Sequence, residues 1–414
     1  MGLTSPPGQP PGSRGPESWP AVGSEEVLWD VHPVSGLTRQ DRLDAGRPYR
    51  ASITPEIGGL DLALSGPVAA QMEQAVAEVA QFDTEMGHLI SPYVAVLLRS
   101  ESASSSQIEQ LSASARKIAE AEVNGSGTPH AQQIVANVHA MTTALSLADQ
   151  LDADAILAMH DALMRPIVPD IAGQWRQDQV WIGGPARFGP GTPHRADFVP
   201  PVAQRVPAAM RDLVEFIARE DLPALAQAAV AHAQFETIHP FPDGNGRTGR
   251  ALLHAMLRNK GISRHISVPI SAGLLTDTAG YFAALTAYRA GDVEPIVSCI
   301  SRAALAGVSS GRTLVEDLSG VRATWDERLI GLRTDAGARR LADGLLRYPV
   351  ISATQARELL GTTKNEHRHI DALVERGILT HHQDYKTRNM TWRAQDVLDA
   401  LDRYSASLGR RKNR

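Results

Sequence analysis

One twelve-residue stretch, residues 239–250 with the sequence HPFPDGNGRTGR, constrains the fold more than any other part of the chain. Residues 225–238 before it and 251–260 after it carry apolar side chains at helical spacing. The Pro-Asp-Gly tripeptide inside the stretch is typical of a tight turn. The sequence therefore predicts two helices joined by a short loop.

Glycines and arginines are concentrated where the second of these helices begins. Gly244, Asn245 and Gly246 lead into the helix, and glycine lacks the Cβ that would stop backbone N–H groups from converging. Free N–H groups and the helix dipole favour an anion at this point. Arg247 and Arg250 lie three residues apart, on one face of the first turn. Two guanidinium groups suit a polyphosphate better than a single carboxylate.

The same stretch carries a candidate base and a candidate metal ligand. His239, at the end of the first helix, can accept a proton near neutral pH. Asp243 offers an oxygen ligand suited to Mg²⁺ bound to phosphates. An ordinary helix–helix turn with solvated arginines would account for any one of these residues. It does not account for all of them within twelve positions.

The stretch resembles the signature of the Fic (Fido) domain family, H-x-F-x-[DE]-G-N-G-R-x-x-R, at every fixed position. Fic proteins mostly transfer AMP from ATP to a protein hydroxyl. The resemblance therefore implies a nucleotidyltransferase, specifically a protein adenylyltransferase (AMPylator), that uses ATP as substrate and Mg²⁺ as cofactor. The branch that transfers phosphate carries Lys near the end of the loop, whereas this chain has Arg247, which favours AMP transfer.

The resemblance also assigns roles to individual residues. His239 would be the general base, Asp243 the metal ligand, and Phe241 a core residue that holds the loop. Arg250 would contact the γ-phosphate, and Tyr281 would close the adenine pocket, although a simple core position is the alternative for Tyr281. The implied nucleotide-binding residues are Gly244, Asn245, Gly246, Arg247, Thr248, Gly249, Arg250 and Tyr281.

Residues 102–111 are rich in serine, so the residues alone suggest a weak, solvated helix or a loop. The segment resembles the inhibitory helix of many Fic proteins, [ST]-x-x-x-E-[GN], from Ser105 to Glu109. Gln110 departs from the pattern, which has Gly or Asn at that place. The resemblance implies that Glu109 pairs with Arg250 where the γ-phosphate would lie, and so inhibits the enzyme.

Residues 179–199 combine a short strand-like run with several glycines and prolines. They resemble the Fic flap, a β-hairpin that holds a target segment by strand addition, with residues 180–182 and 198–199 as its arms. An ordinary surface hairpin is the alternative. The implied partner is a protein that presents a Tyr, Thr or Ser hydroxyl on this flap.

The C-terminal part predicts a second, smaller domain. Ser352 and Gly361 are placed to begin and end a short helix, a second helix follows to residue 377, and residues 378–392 suit a hairpin. This order resembles a winged helix. Because acidic residues dilute its basic ones, DNA binding and protein contact, including a homodimer, both stay open.

The predicted fold class is all-α: a Fic helical core with a β-hairpin flap, plus a C-terminal winged-helix domain. The expected segments are a disordered tail 1–25, an N-terminal region 26–128 with the inhibitory helix, a catalytic core 129–308, a helical connector 309–340, a winged-helix domain 341–405 and a basic tail 406–414.

Composition narrows the remaining classes. The 414 residues, 43% hydrophobic and 21% charged, are typical of a soluble globular protein with two or three domains. A net charge of −5 gives no global signal for a polyanion partner. Cys299, the single cysteine, excludes an intrachain disulfide and fits a reducing cytoplasm. Because no apolar run suits a membrane helix or a signal peptide, we expect a cytoplasmic protein without a membrane partner.

Two other functions stay open. One is a DNA-binding regulator whose Fic domain senses a nucleotide; a degraded motif would have favoured it, whereas this motif is intact. The other is the removal of AMP from a target by hydrolysis, with Glu109 positioning the water. The sequence does not separate AMP transfer from AMP removal.

Overall fold

The protein is mostly helical in the computed structural model, which describes residues 19–29, 43–87, 92–184, 192–333, 336–361, 364–383 and 390–410. Within these ranges, no helix is both long and apolar enough to span a bilayer. The α-helices are α1 (Gly66–Gly87), α2 (Pro92–Ile108), α3 (Ala115–Asn124), α4 (Pro129–Ser146), α5 (Ala153–Met164), α6 (Val206–Ala218), α7 (Ala224–Ile238), α8 (Asn245–Asn259), α9 (Ile270–Thr276), α10 (Thr278–Arg289), α11 (Glu294–Arg328), α12 (Gly337–Arg347), α13 (Ala353–Leu360), α14 (Glu366–Glu375) and α15 (Gln395–Arg410).

The strands of these ranges form two small antiparallel sheets. The first pairs β1 (Gly23–Leu28) with β2 (Pro48–Ile53), in a register that sets Glu25 opposite Ala51. The second has the order β3-β5-β4 and contains β3 (Val350–Ser352), β4 (Thr380–Gln383) and β5 (Met390–Arg393). The predicted all-α class with few short strands is confirmed.

Helix α7 lies at the centre of the core, and every residue from Leu225 to Ile238 is buried. A helix that is apolar or small on all faces is stable only when other elements surround it. Helices α6, α8, α10 and α11 all pack against α7. Its C-terminal end is therefore held rigidly, and that end carries His239.

The boundaries of the predicted segments 309–340 and 406–414 stay predictions, and most described residues of both segments are helical. The predicted connector 309–340 is mostly the second half of α11, where Leu318 and Trp325 are fully buried. The predicted tail 406–414 is helical as far as Arg410, and Leu408 is buried. Residues 411–414 lie outside the described ranges.

The predicted disordered tail 1–25 is wrong for its last part, and residues 1–18 lie outside the described ranges. The Trp19 ring packs 6.4 Å from the ring of Phe216 and 6.2 Å from that of Tyr288, and β1 begins at Gly23. A window rich in Pro and Gly predicts disorder on average, but one partly buried Trp packs its end against the core.

The C-terminal unit has the predicted order of two helices and a hairpin. Ser352 caps α13 with a full capping box, and Gly361 ends it at φ 60°. Helix α14 is shorter than predicted, and β3 adds a strand to the hairpin. Residues 384–389, at the hairpin tip, lie outside the described ranges. The assignment to the winged-helix class and the boundary 341–405 stay predictions.

Candidate active site

His239 ends α7 with its backbone in the left-handed region, at φ 50° and ψ 62°. This conformation reverses the chain direction and is unfavourable for a residue with a Cβ, so it needs support from its surroundings. Arg176 provides that support, because its Nε donates to the His239 carbonyl at 2.8 Å. Arg176 is 2% exposed and was not recognised from the sequence.

Asn245 and Phe241 hold the loop shut. The Asn245 Oδ1 accepts from the Phe241 N–H at 2.9 Å, and its Nδ2 donates to the Phe241 carbonyl at 2.8 Å. Phe241 is fully buried, as predicted. The Asn245 side chain is therefore bonded to the loop backbone and does not itself contact an anion. Backbone N–H groups are the donors that the predicted anion site offers.

His160, a buried residue of α5, braces the same loop. Its ring stacks on Phe241 with centroids 3.7 Å apart. The Nδ1 accepts from Gly173 N–H at 3.1 Å, so Nε2 carries the proton and donates to the Asp243 carbonyl at 3.1 Å. Burial lowers the pKa of His160 to about 4, which keeps it neutral. No local sequence pattern indicates a contact between residues so far apart.

Glycines at the start of α8 are required by close contacts. Gly244 adopts φ 77°, a left-handed value that favours glycine. A Cβ at Gly246 would collide with the carboxylate of Glu109. A Cβ at Gly249 would lie 2.9 Å from the Phe235 ring, so this glycine lets α8 approach α7 closely. Thr248, which lies between Gly246 and Gly249 in the sequence, is fully buried.

Glu109, just after the end of α2, bridges both predicted arginines. Arg250 Nη2 lies 2.7 Å from Glu109 Oε1, which confirms the predicted salt bridge. Arg247 Nε lies 2.9 Å from Glu109 Oε2, a second pair that was not predicted. Arg250 also donates from Nε to the Ser105 hydroxyl at 2.8 Å. The two guanidinium groups are 3% or less exposed, whereas the Glu109 side chain is 28% exposed.

Two unpaired groups mark this pocket as one that suits a phosphate. Arg247 Nη1 and Thr248 Oγ1 are buried and have no hydrogen-bond partner among the described residues. Buried donors without partners are costly, so they indicate a place for an acceptor. A phosphate oxygen is such an acceptor, and it would compete with Glu109 for the arginines.

The structure places Asp243 at the mouth of the site, with its side chain 65% exposed. Its Oδ1 accepts from the Gly244 N–H at 2.6 Å. Among the described ranges no group of three or more His, Cys, Asp or Glu side chains could hold a metal. Mg²⁺ is usually held by one or two carboxylates together with substrate phosphates, so a single exposed carboxylate beside a phosphate pocket fits it.

The electrostatics of His239 keep its imidazole neutral. Burial and the nearby positive charge of Arg176 lower the pKa of His239 to about 3, so the imidazole is neutral at pH 7. The closest carboxylate is that of Glu236, whose Oε2 lies 4.0 Å from His239 Nδ1. A neutral imidazole can accept a proton from a hydroxyl, provided that the correct nitrogen is free.

One cavity of about 520 Å³ lies between α2, α3 and α15, and another of about 660 Å³ has Arg289 in its lining; none of the residues from His239 to Arg250 lines either cavity. The second lies between the first sheet, residues 193–199 and the end of α10. Arg289 stacks over the Phe198 ring at 3.7 Å on its wall. Tyr281 does not line it: the residue is 1% exposed and its hydroxyl lies 2.8 Å from His232 Nε2. The adenine role of Tyr281 stays a prediction.

The predicted flap is present as a narrow pairing rather than as two regular strands. Ile182 N–H donates to the Phe198 carbonyl at 2.8 Å, which joins the two predicted arms. On the other side, Ser52 N–H donates to the Val199 carbonyl at 3.0 Å, so β2 covers that arm. Residues 185–191 lie outside the described ranges.

Comparisons with known proteins agree with this geometry. Residues 150–257 match the family model described as Fic/DOC family. Protein adenylyltransferase fic-1 of Caenorhabditis elegans is 31% identical over 157 residues, which are 37% of this chain and 27% of that protein. A probable protein adenylyltransferase of Aquifex aeolicus is 43% identical over 68 residues, 16% of this chain and 21% of that protein.

The loop from His239 to Arg250 lies near the end of the residues that match the Fic/DOC family model. The chain spans about a quarter of the length of the curated relatives that it matches. A Fic family protein from Desulfovibrio desulfuricans has a similar fold, with a TM-score of 0.50 at 21% identity, covering 80% of this chain and 97% of that one.

Proposed function

We propose that this protein is an adenylyltransferase that moves AMP from ATP to a hydroxyl side chain of a target protein, and of itself, and that Glu109 inhibits it. One observation carries the proposal. A neutral imidazole, that of His239, lies at the same loop as two buried arginines and a glycine-rich helix start. That combination offers a base on one side and a polyphosphate site on the other.

In the proposed reaction the target oxygen forms a bond to the α-phosphorus of ATP, and the bond from this phosphorus to the bridging oxygen of pyrophosphate breaks. His239 takes the proton of the target hydroxyl. The N–H groups of Asn245 and Gly246 stabilise the negative charge that develops on the α-phosphate, and the Gly244 N–H would join them only after leaving Asp243 Oδ1. Arg247 and Arg250 hold the leaving pyrophosphate in line with the attacking oxygen. The pyrophosphate leaves as a free product.

Asp243 is the residue that would hold Mg²⁺ on the phosphates, where the metal would offset their negative charge. The exposure of this carboxylate and its position next to the phosphate pocket support the assignment. The target would dock along residues 179–199. It would pair with the arm 180–182, because β2 already pairs with the other arm at Val199. Homodimer formation and DNA binding by the C-terminal unit stay open within the proposal, as does a cytoplasmic location.

The contacts of Glu109 support an inhibitory role. Its carboxylate occupies one donor of each arginine at 2.9 Å or less. ATP that enters would find these donors engaged, so its outer phosphates would bind out of place. A misplacement of about 1 Å can lower the rate of an in-line reaction by about 10²-fold.

The test is to incubate the purified protein and its Glu109→Gly variant with cell lysate and ATP labelled at the α-phosphate, followed by mass spectrometry. We expect AMP on protein hydroxyls, chiefly with Glu109→Gly. Glu109→Gly/His239→Ala should lose about 10²- to 10⁴-fold in rate yet still bind ATP in calorimetry.

ATP labelled at the γ-phosphate serves as the control, because AMP transfer leaves that label in pyrophosphate. Transfer of the γ-label would show a phosphotransferase instead. If no variant modifies any protein, but one releases AMP from a previously modified target, the reaction runs as removal. Full activity of the His239→Ala variant would reject the assignment of the base.

A further inference from the structure

A buried carboxylate lies one helical turn before His239 and has no role in the reaction described above. Glu236 is 7% exposed, and its Oε1 has no hydrogen-bond partner among the described residues. Its Oε2 lies 4.0 Å from His239 Nδ1, which is itself buried and lacks such a partner there. A buried polar atom without a partner typically costs about 1–3 kcal/mol. Two buried polar atoms, Glu236 Oε1 and His239 Nδ1, thus lack partners among the described residues, and the other oxygen of the carboxylate, Oε2, is the one that lies near Nδ1.

The position of Glu236 is fixed by packing between α7 and α8. A Cβ at Gly249 would lie 2.9 Å from Glu236 Oε1, so the carboxylate has room only because residue 249 is glycine. Burial raises the pKa of Glu236 to about 7. The ionisable groups of neighbouring elements that face this carboxylate are Glu109, His239, Arg250, Tyr281 and Arg289.

We propose, on the basis of the adenylyltransferase function above, that Glu236 is a positioning residue for His239. Its carboxylate would accept the Nδ1–H of the imidazole. The lone pair would then lie on Nε2, which faces the target hydroxyl, and the carboxylate would stabilise the imidazolium that forms when His239 takes the proton. The distance of 4.0 Å is too long for a hydrogen bond. Such catalytic contacts commonly shorten when the substrate binds.

A competing arrangement uses the backbone. The carbonyl of Glu236 also approaches the His239 ring and raises its pKa. If that carbonyl alone held Nδ1–H, the side chain at position 236 would have no effect on the tautomer. Side-chain variants leave the carbonyl in place, so they separate the two arrangements.

The first experiment measures the tautomer directly and needs no transferase activity. Protein labelled with ¹⁵N-histidine is studied by long-range ¹H–¹⁵N correlation, and the His239→Ala variant identifies the His239 signals. We expect the Nδ1–H tautomer in the wild type with bound ATP and a mixture with Nε2–H in Glu236→Leu. Glu236→Gln retains an acceptor and should restore the tautomer. The same tautomer in wild type and Glu236→Leu would overturn the proposal.

The second experiment measures rates in the Glu109→Gly background. Glu236→Leu should lower kcat for AMP transfer by up to about 10²-fold, with KM for ATP nearly unchanged. We expect kcat/KM of the Glu109→Gly parent to fall as the pH drops below neutral, because the Glu236 carboxylate takes up a proton there while His239 stays neutral. Glu236→Gln should remove this fall. A pH profile identical to that of the Glu109→Gly parent would contradict the role.

Gln234→Leu is the matched control for folding. Gln234 is another buried polar residue of α7, and it binds the Pro55 carbonyl at 2.9 Å and the Tyr288 hydroxyl at 2.8 Å. Its loss should lower stability without changing the His239 tautomer. If Glu109→Gly itself transfers no AMP, the adenylyltransferase function fails, while the tautomer measurement still tests the contact.

Discussion

Two carboxylates of the same polypeptide segment, Glu101 and Glu109, both reach from α2 to α8, but they differ in how they are held. Glu101 is fully buried and accepts from His254 Nε2 at 2.8 Å and from the Ser271 N–H at 2.8 Å. The side chain of Glu109 is 28% exposed and binds two arginines. Glu101 therefore anchors the helix to the core, whereas Glu109 can be displaced by another anion.

The difference follows from position along the helix. Helix α2 ends at Ile108, and Gln110 adopts φ 63°, so the segment after Glu109 leaves the helix at once. Eight residues of α-helix span about 12 Å, which separates the anchor from the end. Glu109 therefore lies just beyond the anchored helix, and its side chain can leave the arginines while Glu101 keeps α2 in place.

The largest expected effect is on stability. Glu101→Ala would leave His254 and the Ser271 N–H without their acceptor in the core, and breaking such a buried pair costs about 3–5 kcal/mol of unfolding free energy. Urea denaturation measures it, with Glu109→Ala as the matched control, for which we expect a smaller loss, because solvent already reaches the Glu109 carboxylate even though its removal leaves two buried arginines without it. Equal losses of unfolding free energy for the two variants would mean that Glu109 is held as firmly as Glu101.

The next effect is on rate. Glu109→Gly should raise AMP transfer by about 10²-fold, including transfer onto the protein itself, because both arginines become free for the phosphates. Transfer from labelled ATP is compared in the wild type, Glu109→Gly and Glu109→Gly/Arg250→Ala. A double variant as active as Glu109→Gly would show that Arg250 is not the group released, and no rise in Glu109→Gly would reject inhibition.

Asn137 lies between the two carboxylates and tests how far the anchor extends. Its Nδ2 donates to the Ser102 carbonyl at 2.8 Å and to the Ser106 hydroxyl at 3.2 Å, in a fully buried place. Asn137→Ala should cost about 1–2 kcal/mol in urea denaturation. AMP transfer should rise less than in Glu109→Gly. A rise in AMP transfer equal to that of Glu109→Gly would mean that inhibition depends on how the whole of α2 is held, and not on Glu109 alone.

The smallest effect concerns Gln110, where the family pattern has Gly or Asn. Its left-handed backbone costs a residue with a Cβ about 1–2 kcal/mol, partly offset by the greater entropy that glycine loses on folding. Gln110→Gly should therefore stabilise the protein by up to about 1 kcal/mol and deepen inhibition. Thermal unfolding and transfer rate, measured together, check this; a less stable or more active variant would argue against it.

The sequence by itself determined the local parts of the site. Helical spacing placed α7 and α8 on either side of the loop, and turn residues placed the loop between them. The family pattern led to the pair between Glu109 and Arg250, which the structure contains at 2.7 Å. The departure at Gln110 was visible too. The positive φ at this position, which explains why Gly or Asn is preferred there, was not visible from the sequence. The helices and the turn depend on residues within one or two turns of each other, whereas the pair joins residues far apart in the sequence and was predicted only through the family pattern.

Only the tertiary structure decided how these parts are supported. His160 braces Asp243 across 83 positions, and Arg176 holds the His239 carbonyl across 63, which no spacing rule encodes. The second partner of Glu109, Arg247, follows from how α2 packs on α8. Burial by several elements at once lowers the pKa of His239 to about 3 and raises that of Glu236 to about 7. Desolvation depends on everything that surrounds a group, so the fold alone sets the chemistry of these two side chains.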